Sequence, residues 1–182
     1  RQVLFSHAFE TAGSHVIEVF ADADTLTADN AYQASIPVWD RVPVLLVNGD
    51  VGSGPLKSET DFLEIALQPF GIAKLDLTDL IAPRVVEARD LNTEAISKSR
   101  VVVLANVRQL TDAQLRALKD FVRDGGGLLI FPGDRLNVEW YNTTMTIDNG
   151  LLPLQMTSLA GALDEQTAPA RIVASHYAYS AF

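Results

Sequence analysis

The chain has 182 residues, 48% hydrophobic and 20% charged, the make-up of a folded globular protein with a packed core rather than of a disordered one. Fourteen basic against twenty-three acidic residues leave a net charge of -9 without a Lys/Arg cluster, which argues against nucleic acid and anionic lipid as partners. The absence of cysteine removes disulfides, thiolate metal ligands and cysteine nucleophiles together.

Residues 1 to about 40 read as all-β. Three extended stretches are expected, at Val3 to Phe9, His15 to Ala21 and Tyr32 to Trp39. In the second, Ile17, Val19 and Ala21 alternate with Val16, Glu18 and Phe20, the two-residue period of a strand. Small and Asx residues at 11–14 and 22–30 supply the turns. Three strands are too few for a sandwich, so the segment reads as the closing strands of an immunoglobulin-like domain. Its open edge is expected to be hidden by packing or by self-association.

From Arg41 apolar runs alternate with helices, as in a parallel sheet covered on both faces. Val42 to Val47 is the first strand, and Ser58 to Asp61 is a capping box opening a helix with a stripe of Phe62, Leu63, Ala66, Leu67 and Phe70, stopped by Gly71. Ile72 to Leu77 is expected as the second strand, Thr93 to Lys98 as a short helix, and Val101 to Ala105 as the third strand. Thr111 and Gln114 cap the next helix, Leu110 and Leu115 staple it, and Leu115, Leu118, Phe121 and Val122 form its buried face up to Gly125. Leu128 to Phe131 is the fourth strand, broken by Pro132, Gly133 and Asp134. Beyond it the signals are a turn of helix at Leu136 to Trp140, a loop at Asp148 to Pro153 and a strand at Arg171 to Ala174.

In open α/β sheets ligands bind beyond the carboxyl ends of the strands, near the reversal of strand order. Those ends gather Asn48 and Asp50, Asn106, and Gly133 with Asp134 as candidate ligand-binding residues, although Asx residues at strand ends are also ordinary turn formers. The loop from Asn48 to Ser58 is glycine-rich, and Gly49 and Gly54 have Walker A spacing, but Pro55 occupies the lysine position; a plain turn and an anion site are the two readings. Neither catalysis nor metal finds a motif. There is no G-x-S-x-G elbow, the three histidines His7, His15 and His176 lack ligand spacing, and Asp22, Asp24 and Asp29 lack the glycine and glutamate of an EF-hand. Asn142 to Thr144 matches a glycosylation acceptor, a short pattern of high chance frequency.

The runs Val44 to Asp50, Glu59 to Leu67 (E-x-x-F-L-x-x-A-L), Val101 to Val107 and Leu118 to Phe131 (L-x-x-F-V-x-x-G-G-G-L-L-I-F) resemble the class I glutamine amidotransferase-like domain. More narrowly, with the leading strands and Ala28 to Asn30, the chain is similar to the soluble part of large bacterial membrane proteins with a BatA-type (aerotolerance-regulator) N-terminal region. The resemblance implies a flavodoxin-like doubly wound parallel sheet over residues 41–182, preceded by immunoglobulin-like strands over 1–40. True amidotransferases mount a cysteine in an elbow of the form G-I-C-x-G. Matched to Leu129 to Gly133, that elbow places Phe131 on the cysteine, and His176 has no H-x-E context. A phenyl ring cannot attack a carboxamide.

The expectation is therefore a non-catalytic interaction or scaffold module, without cofactor or metal, whose partners are proteins or other domains of its parent. The alternative is a small-molecule sensor or hydrolase using the carboxyl edge. No apolar run reaches the roughly 18 residues of a membrane span, and no signal-like segment opens the chain, so no direct membrane insertion by this piece is expected. Arg1 leads straight into strand-like residues, which reads as a fragment of a longer, membrane-anchored protein.

Overall fold

The computed structural model describes residues 3–21, 30–54, 56–73, 79–146 and 150–157. It is an α/β protein with a four-stranded parallel sheet and a separate two-stranded antiparallel one.

The smaller sheet is a hairpin of β1 (Gly13–Phe20) and β2 (Ala31–Val38), paired from Gly13 opposite Val38 to Phe20 opposite Ala31. The alternation expected over residues 15–21 is realised in part: His15 and Ile17 are half-buried and Val16 and Phe20 exposed, but Val19 and Ala21, expected on the Ile17 face, are exposed as well because nothing described covers that end of the hairpin. Phe9 lies against the His15 ring at 4.6 Å. The expected strand at Val3 to Phe9 does not form, and Val3, Leu4 and Phe5 are exposed. Apolar residues become a strand only where a neighbour pairs their backbone, and among the described residues β1 pairs only with β2.

The parallel sheet has the order β4-β3-β5-β6, built from β3 (Val42–Asn48), β4 (Ile81–Glu87), β5 (Val101–Ala105) and β6 (Gly127–Phe131). Val44 sits opposite Val101 and Val101 opposite Gly127, all in parallel register. The chain starts in the middle at β3, steps to one side for β4, then returns past β3 to β5 and β6. Strand order thus reverses between β3 and β5.

Alternate residues of β3 and β5 face opposite layers. Leu45, Val47, Val102 and Leu104 point to the core shared with α3 (Thr93–Ser97) and α4 (Asp112–Arg123), through Ala95, Ile96 and Leu118. Val44, Leu46 and Val103 point to the layer of α1 (Glu59–Leu67), through Leu63 and Leu67. Two-sided burial explains why these strands read as continuous apolar runs.

The expected capping boxes of α1 and α4 are both present: Ser58 Oγ accepts from Thr60 N–H while Asp61 accepts from Ser58 N–H, and Thr111 with Gln114 repeats the pattern. Gly125 follows α4 at φ 93, the left-handed position that glycine adopts cheaply.

Two expectations are corrected here. The helix ends at Leu67, a separate short helix α2 occupies Pro69–Ala73, and Phe62 and Ala66 lie on the exposed side, so Leu63 and Leu67 alone carry the stripe. The second strand is Ile81–Glu87 rather than residues 72–77, of which 74–77 lie outside the described residues. A mixed run containing Pro83 and Arg84 pairs with β3 because Asp79, buried just before it, accepts from the N–H groups of Phe70 and Gly71 and ties the loop to α2. The expected turn at Leu136 to Trp140 is α5 (Val138–Thr144). The expected strand at 171–174 lies outside the described residues.

Candidate functional site

The reversal between β3 and β5 sets the carboxyl ends of those strands side by side, where an open α/β sheet forms its crevice. Asn106, the first residue after β5, fills that crevice. Its backbone is left-handed at φ 51, a conformation that Asn tolerates better than most residues. Its N–H donates to Phe131 C=O at 3.0 Å, so the peptide is tied to the end of β6.

Both ends of the Asn106 carboxamide are engaged. Nδ2 donates to Glu59 Oε1 and to Asp134 Oδ1, each at 2.9 Å, and Oδ1 accepts from Arg135 N–H at 3.0 Å. The residue is 1% exposed. Both neighbouring glycines are required by this packing. A Cβ on Gly49 would fall 2.0 Å from Asn106 O, and one on Gly133 would fall 2.3 Å from Asn106 Cγ. Any side chain there would displace the plug.

Arg135 closes the outer side, with Nη1 2.9 Å from Asp50 Oδ1 and 3.2 Å from Gly49 O. Asn48 Oδ1 accepts from Asp50 N–H at 3.0 Å, and Asp50 Oδ1 accepts from Gly52 N–H at 3.3 Å. These are successive Asx turns, and they consume the main-chain N–H groups at 50 and 52 that would cradle an anion. With Glu59 and Asp61 in the first turn of α1, a phosphate at this loop would meet unfavourable charge. Pro55 lies outside the described residues.

All five residues anticipated from the sequence, Asn48, Asp50, Asn106, Gly133 and Asp134, therefore converge on one corner. Glu59 and Arg135 complete it and were not anticipated. Glu59 reads as a helix-capping neighbour and Arg135 as a surface charge, and nothing local links Gly49 to an arginine 86 positions later. Among the described residues no buried side-chain polar atom lacks a partner. Beside the corner lies an open depression of about 570 Å³, lined by Arg108, Asp134, Arg135, Leu136, Asn137 and Val138.

Phe131, at the position matched to the elbow cysteine, is 48% exposed. His15 Nε2–H donates to Thr11 C=O at 2.8 Å within the hairpin, His7 stacks edge-on to Phe9, and His176 lies outside the described residues, as do Asp22, Asp24 and Asp29. Among the described residues no group of three or more His, Cys, Asp or Glu is placed to hold a metal ion. None of their helices is long and apolar enough to cross a membrane. No protein-family model, curated protein or solved structure matches the chain.

Proposed function

We propose that this chain is a non-catalytic interaction or scaffold module of a larger, membrane-anchored bacterial protein, with a flavodoxin-like sheet of the class I glutamine amidotransferase-like type. The sheet order supports the fold: counted within the parallel sheet it runs 2-1-3-4, the beginning of the flavodoxin-like order. The observation that carries the function is Asn106. The crevice where such sheets take their ligands is occupied by the chain's own carboxamide, with both amide hydrogens and the carbonyl oxygen engaged. A phenylalanine at the elbow adds no nucleophile.

The competing reading is a small-molecule sensor or hydrolase at the carboxyl edge. It draws on the depression beside Asp134, where Arg108 and Arg135 could meet an anionic ligand. Thermal denaturation with glutamine, nucleotides, sugars, amino acids and divalent cations separates the two. A ligand present at about 100 times its Kd stabilises by about 2.7 kcal/mol, which raises Tm by several degrees. The module reading expects no such shift and no ammonia release from glutamine. A shift that is lost in Arg135→Ala establishes the sensor instead.

A further inference from the structure

Among the described residues, strand β6 is an edge of the parallel sheet. Gly127 N–H donates to Arg100 C=O and Phe131 C=O accepts from Asn106 N–H, so residues 127 and 131 turn their main-chain groups towards β5. The two-residue alternation then turns the N–H and C=O groups of Leu128 and Ile130 to the open side, where no described strand meets them.

The side chains on one face are also uncovered. Leu129 lies opposite Val103 and Phe131 opposite Ala105, on the α1 side of the sheet, but α1 packs over β3 and β4 and leaves β6 bare. Leu129 is 51% and Phe131 48% exposed. Natural edge strands are usually blunted by charge or proline within the strand. Here Gly125 to Gly133 contains no charged residue, and Pro132 falls after the last pairing position. Charge returns at the two ends, where Arg123 and Arg135 are already paired with Asp120 and Asp50 and the adjacent Asp124 and Asp134 are exposed.

We infer that β6 is a docking edge for an extended apolar segment of a partner protein, flanked by basic residues, which joins the sheet as an added strand. The inference rests on the module reading and names its surface. Main-chain bonds to Leu128 and Ile130 supply pairing, alternate apolar side chains cover Leu129 and Phe131, and Lys or Arg at the segment's ends meet Asp124 and Asp134. A second copy of the chain is disfavoured as occupant, because each carries the same acidic ends and a net charge of -9.

The test is fluorescence anisotropy with labelled synthetic peptides of about ten residues. One alternates Val and Thr between paired lysines, a second replaces the lysines by glutamates, and a third carries proline at alternate positions. The basic peptide should bind, and the glutamate and proline peptides should bind at least about tenfold more weakly. Leu129→Ser with Phe131→Ser should weaken the basic peptide about tenfold at unchanged Tm, while Phe20→Ser in the hairpin should leave it unchanged. Equal binding of all three peptides, or of none, overturns the proposal. So does a Leu129-dependent dimer in sedimentation of the protein alone, which makes a second copy the occupant. The module reading fails separately, by a small-ligand thermal shift.

Discussion

Asn106 joins two demands that few residues meet together: a left-handed backbone at φ 51 and a side chain that donates twice and accepts once in a nearly closed space. Glycine satisfies the first demand and alanine neither. Asn106→Gly should cost about 1–3 kcal/mol through the partners it strands. Asn106→Ala should cost about 1 kcal/mol more, because its Cβ resists the left-handed conformation. Urea unfolding of the two variants checks the order, and an alanine variant as stable as the glycine one would mean that the backbone relaxes out of that conformation. The candidate residues could be read from the sequence because polar groups at strand ends are local features. Their mutual satisfaction could not, because Glu59, Asn106 and Asp134 come together only through the sheet order.

At the scale of elements, α5 shows how a short helix with weak sequence signals becomes fixed. Asn137 caps it by accepting from Trp140 N–H, and Tyr141, fully buried with Leu115, Leu136 and Met145, donates its hydroxyl to Val107 C=O at 2.8 Å. Burial pushes the Tyr141 hydroxyl well above the ordinary tyrosine pKa. The folded value is the raised one, so this contribution is intact below the unfolded value of about 10 and is lost as pH rises above it, when only the unfolded chain ionises. Chemical denaturation between about pH 10 and the raised folded value should show wild type losing up to about 1.4 kcal/mol per pH unit more than Tyr141→Phe. At neutral pH the variant should itself be about 1–3 kcal/mol less stable, with Val107 C=O left unpaired. Parallel slopes for the two proteins would remove the buried phenol from the alkaline transition.

The whole molecule divides its stability unevenly. Leu45, Leu46, Val47, Val102, Leu104 and Leu118 are completely buried in the two layers about β3 and β5, whereas the β1–β2 hairpin is a two-stranded sheet with Val16, Phe20 and Tyr32 exposed. A two-stranded sheet is marginally stable by itself. Amide hydrogen exchange should therefore find the paired amides of β1 and β2 exchanging by local opening, orders of magnitude faster than those of Leu46 and Val103, which should open only with global unfolding. Hairpin amides as slow as those of β3 would show that the two sheets unfold as one unit.

Much of this architecture is written locally. The capping boxes at Ser58 and Thr111, the glycine after α4 and the apolar runs of β3, β5 and β6 each depend on residues within a few positions of one another, so α/β character and the parallel pairing of residues 44 and 101 follow from the sequence alone. Strand β4 was hidden because its pairing with β3 outweighs its unpromising composition, and the segment at residues 3–9 because its composition finds no partner. Only the tertiary structure decided that Asn106 closes the crevice, that Arg135 reaches Asp50 and that Phe131 faces outward. Those outcomes depend on distances between chain segments far apart in sequence, which no local pattern of residues encodes.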